Sequence, residues 1–321
     1  MVIIAVAKVK NMRTPTNFCL VNLSMADVLV LGVCQTSAFL EFFAEDRWLL
    51  GNVLCRAIPF LELLFIHASI LIMLGVSFGR YYAVCRPLQS YSTCGRSRTL
   101  VMMACMWGVA ALFAIPMIVI AHVETATFHR DASIIQVCRA HIFLTWHYAY
   151  VICIFCVFFV IPFFVMLFIY SSIIRGVLKE SAHIEENSNS KSFRRTSLRN
   201  QRQIVGMLFV IVVVFFLCTL PLRIVIFWFA FTDTKHIQNL GLEGYLNLVW
   251  CGRIFQYLNS AINPFIYSAF SSKFRWAFKY ILGLKKKEEF SWSRTSQRTF
   301  ASTHYSFMKQ NKQREQKEQY M

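Results

Sequence analysis

The chain has little charge and little polarity. Only 15% of its 321 residues are charged, against 57% hydrophobic and 16% aromatic, which is too apolar for a soluble domain of this size, where surface polarity dilutes the core. Acidic residues are the scarcest charges, 16 against 33 Lys and Arg, for a formal net charge of +17. Such an excess suits nucleic acid when the bases share a face with interleaved aromatics. Here they sit between and after apolar runs, as membrane orientation signals do, so no nucleic-acid partner is expected. No secretory signal peptide is visible: Met1 to Ala7 is an apolar stub running into Lys8, Lys10 and Arg13. No repeat of 20 to 50 residues appears, against a solenoid. A nucleotide-binding glycine loop, a metal-ligand pair and a nucleophile elbow are all missing, so nothing points to an enzyme. The 11 cysteines are odd in number and scattered mostly within apolar runs, which excludes a small disulfide scaffold. Cys19, Cys34, Cys105, Cys153 and Cys156 read as small buried hydrophobes.

What is present is a series of apolar segments, at 17 to 44, 53 to 85, 100 to 121, 143 to 174, 204 to 232 and 244 to 270. About 20 helical residues at ~1.5 Å each cover the ~30 Å hydrocarbon core, whereas the stub reaches only about 10 Å. The reading is six complete membrane helices and a truncated first one. Segments 8 to 13, 86 to 98, 175 to 202 and the tail after 271 are basic, and those at 45 to 52, 122 to 142 and 232 to 243 are mixed, with Glu45, Asp46, Glu124, Asp131, Asp233 and Glu243. The basic set is assigned to the cytoplasm, placing the N-terminus outside and the C-terminus inside a multi-pass protein of the plasma membrane. The connection from 175 to 203 is the long one, and within it Glu185, Glu186, Asn187, Ser188, Asn189, Ser190 and Lys191 read as a polar, loop-like stretch. Ser271 to Leu284 is amphipathic, with Phe274, Trp276, Phe278, Tyr280 and Ile281 among Lys273, Arg275 and Lys279, and suits the lipid interface. The expected architecture is therefore an all-α membrane protein: a seven-transmembrane helix bundle with a truncated first helix, plus a short amphipathic interfacial helix. Residues 1–284 are expected to form the seven-transmembrane domain, and 285–321 a disordered tail.

Ionisable and amide groups inside a membrane are costly and usually carry a role. Asp27 lies mid-helix in NLSMADVLV, Gly79, Arg80 and Tyr81 close the third span, and Trp107 marks the fourth. Pro162 and Pro221 interrupt the fifth and sixth, and Asn263 and Pro264 open NPFIY in the last. In this order, one to each helix from the second onward, the residues resemble the rhodopsin-like (class A) G-protein-coupled receptors over about residues 5 to 284. The stretches MRTPTNFCLVNLSMADVLV and GRYYAVCRPL look closest to neuropeptide receptors of the thyrotropin-releasing hormone and orexin kind.

The resemblance implies roles at matching positions. Cys55 lies 25 residues before Arg80, about 37 Å of helix, and the family's bridge from the third helix to the following outer loop falls on Cys55 and Cys138. Asp27 would help hold a sodium ion with Ser69, Asn259, Ser260 and Asn263, a cluster that equally suits a water-filled polar network. Arg80 and Tyr81 would meet a G protein, with Tyr170, Pro221, Asn263, Pro264 and Tyr267 taking part in the switch. Two departures stand out: Gly79 replaces the usual carboxylate before Arg80, and Thr219 in CTLP replaces a tryptophan.

For the ligand, Glu62 lies seven residues inward of Cys55, and Arg223 and Arg253 stand in the outer halves of the last two helices near Tyr257 and Trp250. A guanidinium fork suits the carboxylate or amide of a peptide end. The competing reading is an internal Glu62 to Arg253 salt bridge. The sequon Asn22-Leu23-Ser24 lies within a span, which argues against glycosylation there. Arg194, Arg195, Thr196 and Ser197, and the hydroxyls from Ser291 to Ser306, suit kinases. The expected function is a receptor that binds an extracellular neuropeptide and activates heterotrimeric G proteins, with membrane lipid around it and arrestin and kinases at its tail. A chemosensory or small-molecule receptor of the same fold, or a truncated and non-signalling product, is the alternative. A secondary transporter would call for paired repeats.

Overall fold

The computed structural model describes residues 1–9, 12–86, 96–128, 133–140, 142–186, 191–232 and 234–284. The tail from 285, Asp131, Asp233, and the side chains of Arg194, Arg195, Thr196 and Ser197 lie outside the described part. Among the described residues, five helices are long and apolar enough to cross a membrane, and we number them spans two to six: Pro15–Phe43, Gly51–Cys85, Ser97–Ile120, Thr145–Ser181 and Gln201–Phe231. The first helix is Val2–Lys8, burying Val2, Ala5 and Val6. The seventh, Thr234–Phe270, has the length but is less apolar, because Arg253, Gln256, Asn259 and Asn263 fall within it.

Local chemistry explains the element ends. Thr14 caps span two by accepting from the Asn17 N–H at 3.3 Å, and Pro15 occupies the first turn, where no N–H is needed. Within span two the helix widens to a π turn at Val30–Gln35, and span five does so at Cys156–Val160. The second of these directly precedes Pro162, which has no N–H for the carbonyl four residues back. Pro59, Pro221 and Pro264 sit inside helices that continue past them.

Two connections carry regular structure. Between 175 and 203 one helix runs on to Glu186 and the next begins at Lys191, and residues 187–190 of the expected loop-like stretch lie outside the described residues. Lys, Glu, Gln and Arg are good helix formers, so the helices outlast their apolar part. The segment from 122 to 142, read from the sequence only as a mixed-charge connection, holds an antiparallel hairpin, β1 (Ala121–Thr127) and β2 (Ile134–Ala140), with Val123 opposite Cys138.

The first helix packs on span two, and span two on span three. Span three is central, touching spans two, four, five and six and strand β1, and the seventh helix packs on span six and again on span two. The ring is thereby closed. Large side chains such as Leu112, Val119, Phe164, Phe168 and Leu217 remain exposed, as expected of a surface facing lipid rather than water. Spans six and seven approach closely at Gly252, where an added Cβ would stand 2.9 Å from the Leu222 Cα. The neighbours of these two, Arg223 and Arg253, are thereby held on adjoining helices. Met1–Arg275 forms one compact unit and Trp276–Met321 a second. In the helix Ser272–Ile281, Trp276 is stacked on Tyr280 at 5.3 Å.

Candidate functional site

Cys55, in the first turns of span three, is disulfide-bonded to Cys138 of β2, with their Cα atoms 5.6 Å apart. Trp48 locks the same corner: its backbone N–H donates to the Gln136 carbonyl at 2.7 Å and its Nε1 to the Gly51 carbonyl at 2.8 Å. The turn before it carries Glu45 and Asp46 at φ of 53° and 70°, conformations costly for side chains with a Cβ. Arg139 on β2 reaches Asp46 at 3.6 Å and Glu124 at 3.8 Å. Burial pushes the Asp46 carboxyl above the usual carboxylate range, Glu41 adds to that, and Arg139 opposes it.

Below this corner the expected ligand residues gather, with partners that the sequence did not reveal. Arg253 donates to Glu41 at 2.9 Å and lies 5.3 Å from the Trp250 ring. Glu62 accepts from Gln256 Nε2 at 2.6 Å. The direct ion pair is therefore Glu41–Arg253, not Glu62–Arg253. Tyr257 is buried among Ala26, Val30, Cys34 and Phe65. Arg223 stands within electrostatic range of Glu62, Tyr150 and His67, yet it makes no hydrogen bond or ion pair among the described residues. Its neighbour Tyr150 is committed to the Phe113 carbonyl at 2.8 Å, and His67 is fully buried with its ring stacked on Phe158 at 3.8 Å. Glu41, His67 and Gln256 escaped the sequence reading. Their signal was available, a polar group within an apolar span.

Halfway through the bundle, Asn263 Nδ2 donates to Asp27 Oδ2 at 2.8 Å, and Ser260 lies close to this carboxylate. Ser69, Asn259, Ser260 and Asn263 are all buried, and the Ser69 hydroxyl donates to the Phe65 carbonyl at 2.8 Å. Asn263 Oδ1 is buried with no hydrogen-bond partner among the described residues. A carboxylate, hydroxyls and an unused amide oxygen make a donor set that fits a small hard cation.

At the opposite end from the disulfide, Arg80 is half-buried, and nothing lies within 4 Å of where a Cβ on Gly79 would stand. The Ser77 and Tyr170 hydroxyls are 3.1 Å apart. Ser77 spends its proton on the Met73 carbonyl at 2.8 Å, so Tyr170 is the donor between them. Tyr170 is buried within electrostatic range of Arg80. Tyr81 lies edge-on to Tyr82 at 5.7 Å, and Tyr267, fully buried, rests on the Phe274 ring at 5.5 Å. Thr219 is buried and donates to the Phe215 carbonyl at 2.7 Å, so its hydroxyl is satisfied within its own helix.

A closed ring of helices tied by an end disulfide, with a buried carboxylate at its centre and an arginine at its far end, defines a membrane receptor architecture. The profile of the seven-transmembrane receptors of the rhodopsin family matches residues 1–267, and the chain belongs to that family. It is 29% identical over 306 residues to the thyrotropin-releasing hormone receptor of Bos taurus, covering 89% of this chain and 74% of the relative. To the growth hormone secretagogue receptor type 1 of Sus scrofa it is 29% identical over 287 residues, 88% of this chain and 75% of the relative. The tachykinin-like peptides receptor 86C of Drosophila melanogaster is 27% identical over 288 residues, 85% of this chain and 53% of the relative.

Proposed function

We propose that this chain is a peptide receptor of the plasma membrane, taking its ligand at the disulfide end of the bundle and engaging a heterotrimeric G protein at the Arg80 end. The disulfide end faces outward and the basic end faces the cytoplasm in this reading, supported by the distribution of Lys and Arg and by the oxidising conditions a disulfide prefers. The observation that carries the ligand assignment is the guanidinium of Arg223, which lacks a direct partner while Arg253 is taken by Glu41 and Glu62 by Gln256. A cation withdrawn from water without a partner is unfavourable, and a carboxylate or amide at a peptide end would complete it with charge-assisted hydrogen bonds. Relatives named for thyrotropin-releasing hormone and for tachykinin-like peptides support the same class of ligand.

Asp27, Ser69, Asn259, Ser260 and Asn263 would hold a sodium ion, which when bound supplies positive charge beside the carboxylate. Arrestin and kinases would act on the tail hydroxyls from Ser291 to Ser306.

The test is a calcium-release or G-protein activation screen with pools of amidated and free-acid peptides on cells displaying the full chain. A peptide found active on wild type should lose at least about tenfold in potency on Arg223→Ala, the scale of one charge-assisted bond. Arg223→Lys should recover part of that loss. Activation confined to non-peptide compounds, or equal potency on Arg223→Ala at matched surface level, would overturn the assignment.

A further inference from the structure

Spans three and five share a pair of hydroxyls near the Arg80 end whose hydrogen-bond direction is fixed. Ser77 and Tyr170 are both buried, and their oxygens stand 3.1 Å apart. Ser77 has one proton, and it goes to the Met73 carbonyl one turn back at 2.8 Å. The phenol is therefore the donor and the serine oxygen its acceptor. The cavity beside them measures about 10 Å³, the lower limit for a single water, which would need about two to four polar partners. Ser77 and Tyr170 supply the two hydroxyls in its walls and already bond each other; the rest are aliphatic, Met or Cys side chains from spans two, three and six. The phenol proton is left to Ser77. Phe209 of span six meets the phenol ring edge-on at 5.5 Å and holds it in place.

The direction of this bond bears on Arg80. That residue lies three beyond Ser77 on the same face of span three, about 4.5 Å along the axis, and Tyr170 is within its electrostatic range. A guanidinium only donates, so a phenol can bond it only through its oxygen lone pairs. With its proton turned to Ser77, the phenol keeps those lone pairs open, and no described residue donates to them. At 3.1 Å the bond is long for two hydroxyls, about 2.7 to 2.8 Å being usual. Accepting from a cation makes an O–H a stronger donor, so the two bonds would reinforce each other. We propose that Ser77 is a positioning residue for the Arg80 end: it turns the Tyr170 phenol into a hydrogen-bond acceptor for Arg80. The relay runs from Arg80 through Tyr170 and Ser77 to the Met73 carbonyl. Losing the Ser77 oxygen loosens the arginine in the arrangement that meets the G protein. This rests on the G-protein reading of that end for its consequence, and not for the order of the hydrogen bonds.

The experiment uses the full chain purified in detergent, with tyrosine isotopically labelled at the ring carbon that bears the hydroxyl, and reads the NMR signal of Tyr170. Its loss in Tyr170→Phe assigns it. The signal should shift in Ser77→Ala and return towards the wild-type position in Ser77→Thr, whose hydroxyl can make the same two bonds. Arg80→Gln should move it more in the wild-type background than in Ser77→Ala, whereas a through-space effect of the charge would be the same in both. A signal indifferent to Ser77→Ala, or equal Arg80→Gln shifts in the two backgrounds, would overturn the relay. The second readout is ligand-free binding of a nucleotide-free G-protein heterotrimer by the same preparations. Ser77→Ala should weaken it about three- to tenfold, the scale of one net hydrogen bond, while Ser77→Thr keeps it. In Tyr170→Phe the serine should no longer matter. Unchanged or tighter binding on Ser77→Ala would overturn the proposal, the latter because the serine would then be restraining the phenol. The two ideas fail separately: no G-protein binding by any preparation, with the NMR pattern as described, would sink the G-protein reading and leave the relay standing.

Discussion

Arg223 and Arg253 look alike in the sequence, each a lone guanidinium in an apolar helix, and differ in what faces them. Arg253 meets Glu41 at 2.9 Å across two helices, and removing one member of such a desolvated pair typically costs about 3 to 5 kcal/mol. It therefore holds the bundle together. Arg223 has no such contact, and Glu62 within electrostatic range offsets its desolvation only in part until something binds. At the other end, Gly79 stands beside Arg80. The family pattern has a carboxylate there to hold the arginine in the closed state, and glycine offers none. A lost restraint of about 1 to 2 kcal/mol would raise the active population roughly 5 to 30 fold where the closed state is favoured by a few kcal/mol. Ligand-free signalling should therefore be measurable, and Gly79→Asp should reduce it with ligand affinity unchanged. The open space around this position lets the carboxylate enter without displacing a neighbour. Gly79→Ala stiffens the helix end by about 1 kcal/mol without adding charge, and is the control. The measurement is G-protein activation at matched surface expression; equal behaviour of the Asp and Ala variants would assign the effect to stiffness, and no change in either would refute it.

At the scale of elements, the disulfide and the hairpin act as one piece. The bond spans 83 residues of sequence, and closing a loop of that order stabilises by about 4 to 5 kcal/mol in the chain-entropy account. Cys55→Ser and Cys138→Ser should each lower surface level or ligand response severely, and the double substitution should be no worse than either. Clearly additive losses, read with an externally accessible tag, would mean that the two thiols act independently. The helices were legible in the sequence because lipid demands about 20 apolar residues per crossing and leaves no other way to satisfy the backbone. The hairpin was not, because its residues alternate only weakly and its position depends on Trp48 and Cys55 far away in sequence. The helical extension to Glu186 was missed for a related reason, since beyond the membrane propensity rather than hydropathy decides. The site was half legible. Polar residues in apolar runs marked Asp27, Glu62, Arg223, Arg253 and Asn263, but which face meets which is a property of packing, and Glu41 and Gln256 as partners followed only from the assembled ring.

Across the whole molecule, the bond from Asn263 to Asp27 joins residues 236 apart and closes the ring between span two and the seventh helix. Two magnitudes bear on its worth. Hydrogen bonds between membrane helices average only about 0.6 kcal/mol, with a maximum near 1.7, because the separated helices also find partners. A buried carboxylate stripped of its partner costs more, about 3 kcal/mol or above. The second effect should win when Asn263 is the residue removed, since the Asp27 carboxyl then loses the hydrogen bond donated to it. Asn263→Ala should therefore depress thermal stability in detergent more than Asp27→Ala, which leaves only a neutral amide unsatisfied. Asp27→Asn should be the mildest, because an amide oxygen in the same place still accepts from Asn263. The reciprocal exchange, Asp27→Asn with Asn263→Asp, restores one carboxylate and one amide across the same 2.8 Å gap and should recover most of the stability lost in Asn263→Asp alone. That single variant places two carboxylates together. If the exchange is no more stable than Asn263→Asp, the pair does not act as a unit, and the closure of the ring must rest on the apolar contacts around it. Sodium adds a separate readout: stabilisation by sodium over potassium chloride at equal ionic strength should appear in wild type and disappear in Asp27→Asn, while a salt response common to both would count against a cation held at this carboxylate.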